Sequence, residues 1–70
     1  MKRYIVNNEN TFNPGNHHEV HTIEHATQLR ISSYTDLGYC NSSIEAKKKA
    51  KTYYWDADGC AICCPEAHEG

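Results

Sequence analysis

Three short stretches of the chain carry patterns of apolar and polar residues that are typical of strands, one of them a continuous apolar run and another a loose alternation. Tyr4-Ile5-Val6 is a β-branched and aromatic run of the kind that favours a strand. In the third stretch, Gly38 interrupts the pattern and marks a bulge or a close approach of another backbone. The pattern predicts three strands, at residues 2–7, 18–23 and 34–40.

A helical period follows the third stretch. Ser42 and Glu45 form a capping box, in which each side chain bonds a free amide of the first helical turn. Apolar residues then recur on one face, and Gly59 stands where a helix commonly ends in a left-handed conformation. We therefore expect a helix over residues 43–57, with lysines on its solvated side, Trp55 shielding an edge, and a buried face of Ala46, Ala50, Tyr53, Tyr54 and Ala57.

The remaining segments are short. Asn13-Pro14-Gly15-Asn16 fits a type II turn, because proline fixes φ at its second position and glycine accepts positive φ at its third. Residues 25–29 fit one helical turn, and Pro65 can begin another. The chain is predicted to be a single domain, residues 1–70, of the α+β class: about three short antiparallel strands packed against one main C-terminal helix.

Composition indicates that this domain needs more than a hydrophobic core. Apolar residues make up 39% of the chain, below the usual share of about 45–50%. At this size a core alone rarely supplies more than roughly 3–5 kcal/mol, so small domains often carry a metal or disulfides. The net charge of −2 gives no general attraction to nucleic acid or anionic membranes. Four cysteines without a recognisable secretory signal favour a reduced, cytoplasmic setting, where clustered cysteines bind metals or do redox chemistry.

Two spaced pairs supply the ligands of a zinc site. Cys60-Ala-Ile-Cys63 is a C-x-x-C segment, whose turn can direct two thiolates at one tetrahedral ion. His21 and His25 form an H-x3-H pair within the spacing that zinc modules use. The predicted site is one structural Zn²⁺ bound by these four residues, which closes the fold.

Other histidines and cysteines are alternatives. Cys64 could replace Cys63 as a ligand. His68 could replace one of the two histidines, or it could hydrogen-bond a ligand without binding the metal itself. His17, His18 and Cys40 are weaker candidates, and Cys40 reads as a small buried hydrophobe. His18-Glu-Val-His21 is H-E-x-H, so it lacks the H-E-x-x-H spacing of a metalloprotease helix.

The order of these motifs resembles a known family. His21-x3-His25, Leu37-Gly38-Tyr39, Glu45-Ala46 and Gly59-Cys60-x-x-Cys63 follow one another as in the N-terminal metal-binding domain of the Ada DNA-repair methyltransferase and related modules. The tail is also similar to small uncharacterised bacterial proteins with a Cys/His-rich end. The resemblance implies the same four zinc ligands and a helix over a small sheet. In Ada a zinc-bound cysteine of the first pair accepts a methyl group, whereas this chain has histidine at both positions of that pair.

Three functions fit these residues. The first is a zinc-stabilised, non-catalytic module that binds an unknown protein or nucleic-acid partner, because four protein ligands leave no open coordination position. The second is thiol redox chemistry or metal sensing by Cys60, Cys63 and Cys64. The third is nucleic-acid binding through a basic and aromatic set, comprising Lys47, Lys48, Lys51, Arg30 and Trp55.

Overall fold

A computed structural model describes residues 1–9 and 18–69, and it shows an α+β domain. One mixed sheet has four strands in the order β3-β1-β2-β4. The Pro14-Gly15 turn lies outside the described residues, as does His17. In chain order the elements are β1 (Lys2–Asn7), β2 (His18–Thr22), α1 (Ile23–Gln28), β3 (Tyr34–Cys40), α2 (Ser43–Ala50) and β4 (Ala57–Gly59).

The centre of the sheet supplies the core. β1 lies between β2 and β3 and pairs antiparallel with both. Val6 faces Val20 across the β1–β2 ladder, and both are completely buried. Against this face pack the small side chains of α2, Ala46 and Ala50. In the part of the chain that the structure describes, the largest fully buried side chains are small for a core, which agrees with the thin core expected from composition: Ile5, Val6, Val20, Cys40 and Cys64.

The predicted irregularity at Gly38 is confirmed. Tyr4 pairs with Gly38 and Ile5 pairs with Asp36, so Leu37 is an extra residue on β3. Gly38 has φ of +75°, and its amide donates a hydrogen bond to Asp36 Oδ1 at 2.8 Å. Glycine suits this position because residues with a Cβ rarely adopt that φ.

The main helix is half as long as predicted. The capping residue is right, since Ser42 Oγ accepts from the Glu45 amide, but Glu45 accepts from the Asn41 amide rather than that of Ser42. α2 ends at Ala50, after which Tyr53 N and Tyr54 N both donate to the Ala50 carbonyl. β-Branched and aromatic residues are weaker helix formers, and the Thr52 hydroxyl bonds the Lys49 carbonyl.

Beyond Ala50 the predicted buried face is only partly found: Ala57 is buried, although in β4 rather than in a helix, and Tyr53 and Trp55 are not. Tyr53 is 59% exposed and Trp55 is 87% exposed, so neither shields the core. Tyr54 packs on the core from its edge and stacks on the His18 ring at 3.8 Å. Lys47 was expected on the solvated side but is buried: its Nζ donates to the Ala67 carbonyl at 2.9 Å.

A fourth strand takes the place of the last helical turn. β4 pairs parallel with β2, with Val20 opposite Gly59. Gly59 was predicted to end the helix; instead it lies in β4, where the C-terminal segment crosses it. A Cβ on Gly59 would stand 2.6 Å from Ala67 Cβ, so only glycine allows this close approach. Residues 65–67 form the predicted turn, closed by bonds such as Ala67 N to Cys64 O.

Lys47 ties the C-terminal segment to α2 and β4. Its ammonium lies 3.3 Å from Asp58 Oδ1 and 2.6 Å from Glu69 Oε1. The Asp58 carboxylate also accepts hydrogen bonds from the Gly59 and Glu69 amides. Burial alone raises the pKa of Asp58, but these bonds and the lysine outweigh it, so the pKa lies below its usual value. No helix within residues 1–9 and 18–69 is long and apolar enough to cross a membrane.

Candidate metal centre

The parallel pairing of β2 and β4 brings the two halves of the predicted site together. Parallel strands end at the same edge of a sheet, so the residues that follow Gly59 lie beside the end of β2. The Cys60 amide donates to the Val20 carbonyl at 3.0 Å and extends the ladder by one bond. His21 is the next residue after Val20. The histidine pair and the cysteine pair are therefore adjacent in space because β4 runs parallel to β2.

α1 and a tight turn supply the other two ligands. Thr22 caps α1, and its Oγ1 accepts a hydrogen bond from the His25 amide at 3.3 Å. This cap places His25 in the first helical turn, close above His21, and the two rings meet edge to face with centroids 5.4 Å apart. On the other side, Cys64 N donates to Cys60 O at 2.8 Å, which folds the C-x-x-C segment back on itself.

Four possible ligand atoms lie close enough together to bind one metal ion. One donor atom from each of His21, His25, Cys60 and Cys63 lies within 4.8 Å of the others. Cys60 Sγ is 3.7 Å from His25 Nδ1, and Cys63 Sγ is 3.7 Å from His21 Nδ1. Zn–S bonds near 2.3 Å and Zn–N bonds near 2.0 Å at tetrahedral angles imply S···N separations of about 3.5 Å. The group could therefore hold a metal ion with small adjustments.

Burial divides the group into an inner and an outer pair. His21 is 2% exposed and Cys60 is 5% exposed, whereas His25 and Cys63 are only partly buried. Two thiolates and two imidazoles are the donors that zinc prefers in structural sites. The donor set, its spacing and its burial all fit that ion.

The thiol pKa values differ sharply within the group. The Cys64 thiol hydrogen-bonds the Cys63 sulfur, and His21, His25 and the Thr22 amide add further bonds, so the pKa of Cys63 falls to about 3 despite burial. Burial raises the pKa of Cys60, although the amides of Cys63 and Ile62 partly offset this. The neighbouring Cys63 charge raises it further. A divalent cation would stabilise both thiolates together.

The alternative ligands lie outside this group of four. Cys64 is completely buried, with its sulfur 3.8 Å from Cys63 Sγ, and its pKa is raised by the bond it donates and by burial. His68 Nδ1 lies 3.0 Å from the Gly59 carbonyl, which can only accept, so this nitrogen carries a proton. His18 binds Asp56 Oδ1 at 2.8 Å. Cys40 is 1% exposed and belongs to the core, as its sequence position suggested.

One contact to the group was not anticipated. Glu19 Oε1 lies 3.7 Å from His21 Nε2, the ring nitrogen that faces away from Cys63. The sequence carried a signal for it: residues two apart on a strand share a face, and Glu19 and His21 are two apart on β2.

The basic and aromatic set predicted for nucleic-acid binding is only partly a surface. Lys47 does not contribute to an exposed basic surface, because its ammonium contacts Asp58 and Glu69. Lys48, Lys51 and Trp55 are exposed. Arg30 is also exposed, but it follows α1 rather than α2. Nucleic-acid binding stays a prediction.

Fold and site together define a small α+β domain with a His₂Cys₂ group able to bind a metal. Compared with known proteins, the chain matches no family model, no curated protein and no solved structure. The resemblance to the Ada metal-binding domain therefore stays a prediction.

Proposed function

We propose that this protein is a zinc-stabilised, non-catalytic binding module. Four donor atoms within 4.8 Å of one another carry the proposal. When all four ligands come from the protein, a zinc ion has no open position for water or substrate, which is the arrangement of structural sites. The metal would join the end of β2 and the start of α1 to the segment after β4.

The thin core supports a structural role for the metal. Among the described residues, the largest fully buried aliphatic side chains are Ile5, Val6 and Val20. The β2–β4 ladder has only three residue pairs, and this ladder holds the two halves of the site together. Structural zinc contributes about 10–16 kcal/mol of apparent binding free energy in small modules, more than a core of this size supplies. The metal-free chain is therefore expected to be largely unfolded.

The test combines metal analysis with circular dichroism before and after chelation. We expect one equivalent of zinc, loss of structure in chelator, and recovery when zinc is restored. His25→Gln and His68→Gln form a matched pair, since both histidines reach solvent and only His25 belongs to the group. His25→Gln should weaken metal binding and His68→Gln should retain it. A chain that is free of metal and folds normally in excess chelator would contradict the proposal.

Thiol chemistry is the second candidate, favoured by one contact. Cys63 Sγ and Cys64 Sγ lie 3.8 Å apart, and Cys63 has the strongly lowered pKa of a reactive thiolate. This function requires metal-free protein that stays folded and forms a reversible disulfide. Intact mass and circular dichroism in chelator, with and without mild oxidant, separate the two candidates: a folded, oxidised form supports redox chemistry, and an unfolded one supports structural zinc.

A further inference from the structure

The two ring nitrogens of His21 face different partners. Nδ1 points toward the metal group, 3.7 Å from Cys63 Sγ. Nε2 points away from it, and Glu19 Oε1 lies 3.7 Å from that nitrogen. A formed N–H···O bond measures about 2.7–3.2 Å, so a small rotation of the Glu19 side chain would complete one.

The strand holds this pair in place. β2 has β1 on one side and β4 on the other, and Glu19 stands opposite Asp58 in the β2–β4 ladder. The Glu19 side chain is 19% exposed and that of His21 is 3% exposed, so neither can turn freely into solvent. The backbone therefore holds the Glu19 carboxylate beside Nε2 of His21, on the side of the ring that faces away from Cys63.

A carboxylate that accepts a hydrogen bond from the second ring nitrogen of a metal-binding histidine changes how that histidine binds the metal. A neutral imidazole binds a metal through one nitrogen and carries its proton on the other. An acceptor at the second nitrogen selects that tautomer, fixes the ring and raises the basicity of the ligand. His25 differs: among the described residues, no carboxylate lies within ion-pair distance of its ring.

We propose that Glu19 is a positioning residue that tightens metal binding by orienting His21 with Nδ1 toward the ion. This inference rests on the proposed metal-binding function. Glu19 does not touch the ion; it acts through the Nε2–H of His21. The Glu19 carboxylate would lie across the imidazole ring from a bound ion.

The test measures zinc affinity of the full chain in competition with a chromophoric chelator. Glu19→Gln keeps the shape of the side chain and removes its charge. We expect a dissociation constant about 10–100 times higher, the effect usual for such partners. Glu24→Gln is the matched control, because Glu24 is exposed on α1 next to His25 and its substitution makes the same charge change. That variant should bind within about twofold of the original chain.

A second readout separates positioning from general stability. In the zinc-bound protein the His21 Nε2 proton should exchange slowly with solvent by NMR, and in Glu19→Gln it should exchange faster. Equal affinities of the original chain and Glu19→Gln would overturn the inference while the metal site stands. Equal weakening by both glutamine variants would also overturn it, since that indicates only long-range charge.

Glu19→Asp provides the measurement if Glu19→Gln does not fold in saturating zinc. Glu19→Asp keeps the charge on a side chain one methylene shorter and should bind zinc more weakly by a smaller factor. A Glu19→Asp variant that is also unfolded would mean that Glu19 acts in folding alone, contrary to the inference. If the original chain binds no zinc at all, the proposed function itself fails.

Discussion

Gly59 connects β4 to the metal group, and substituting it tests how tightly the C-terminal segment is packed. A Cβ at this position would lie 2.6 Å from Ala67 Cβ, 2.8 Å from the Ala67 carbonyl carbon and 2.8 Å from the Cys64 oxygen. Carbon atoms in good contact are about 3.5–4.0 Å apart, so Gly59→Ala creates an overlap of about 1 Å. Two of the three atoms belong to the backbone and cannot move aside by changing a rotamer.

The expected cost follows from these contacts. Overpacking a core by a methyl group costs about 1–3 kcal/mol, and the backbone contacts place Gly59→Ala at about 2–3 kcal/mol. In a domain of this size that loss lowers the midpoint of thermal unfolding by about 10–20 °C. The assay is thermal and guanidinium unfolding of the zinc-saturated protein, followed by circular dichroism. An unfolding free energy within about 0.5 kcal/mol of the original chain would refute the packing described for this segment.

Two further variants identify the origin of the cost. Gly59→Ala combined with Ala67→Gly removes the contact at 2.6 Å and leaves the other two, so a double-mutant cycle should show favourable coupling of about 1 kcal/mol. Gly38→Ala provides the contrast, because a Cβ there meets nothing within 4 Å and the cost arises only from φ of +75°. That strain is roughly 1–2 kcal/mol, and it should show no coupling to Ala67.

Three other substitutions, with Lys48→Met as a control, test the remaining contacts. Lys47→Met should cost about 1.5–3 kcal/mol because it removes the ammonium group from its ion pair with the buried Asp58 carboxylate, whereas exposed Lys48→Met should stay within about 0.5 kcal/mol, both by guanidinium unfolding. Burial lowers the pKa of Lys47, but its acidic partners raise it above 10.5 overall. Its contribution should therefore be constant below that pH and decline above it, in unfolding measured between pH 7 and 11. Tyr54→Phe removes a 2.8 Å bond to Asn8 Oδ1 and should cost about 1 kcal/mol in the same assay. Trp55→Ala should leave stability unchanged within about 0.5 kcal/mol, and it should weaken binding to single-stranded DNA, measured by fluorescence anisotropy, if the basic surface binds nucleic acid.

The parts of the fold that depend on local sequence could be predicted. Three strands were placed correctly within a residue, and the helix start at Ser42 was correct, because alternation and capping act over a few neighbouring residues. Two spaced pairs in the sequence also named the four residues that the structure groups together, although the pairs did not indicate which strands would bring them together. That these residues bind a metal stays a prediction.

The largest error, the length of the helix, involves long-range pairing as well as the weak helix formers after Ala50. Residues 51–57 continue a helical period in sequence, yet Ala57 leaves it to join β2 in a parallel ladder. No local signal announces a three-residue strand whose partner is far away in the chain. With this pairing Gly59 lies against Ala67. Tyr53 and Trp55 are exposed, whereas the predicted longer helix would have packed Tyr53 in the core and Trp55 at its edge.

The short ladder also explains why metal and fold should depend on each other. Three residue pairs between β2 and β4 are a weak connection by themselves, and loop closure over the intervening β3 and α2 opposes it. A metal held by His21 and Cys60 would fasten the ladder at its end, since Cys60 already bonds Val20 there. Conversely, the ladder and the Lys47 contacts hold the tail where Cys63 can complete the group. Each interaction is favourable only when the other is present, so the folded, metal-bound state should form in a single cooperative step.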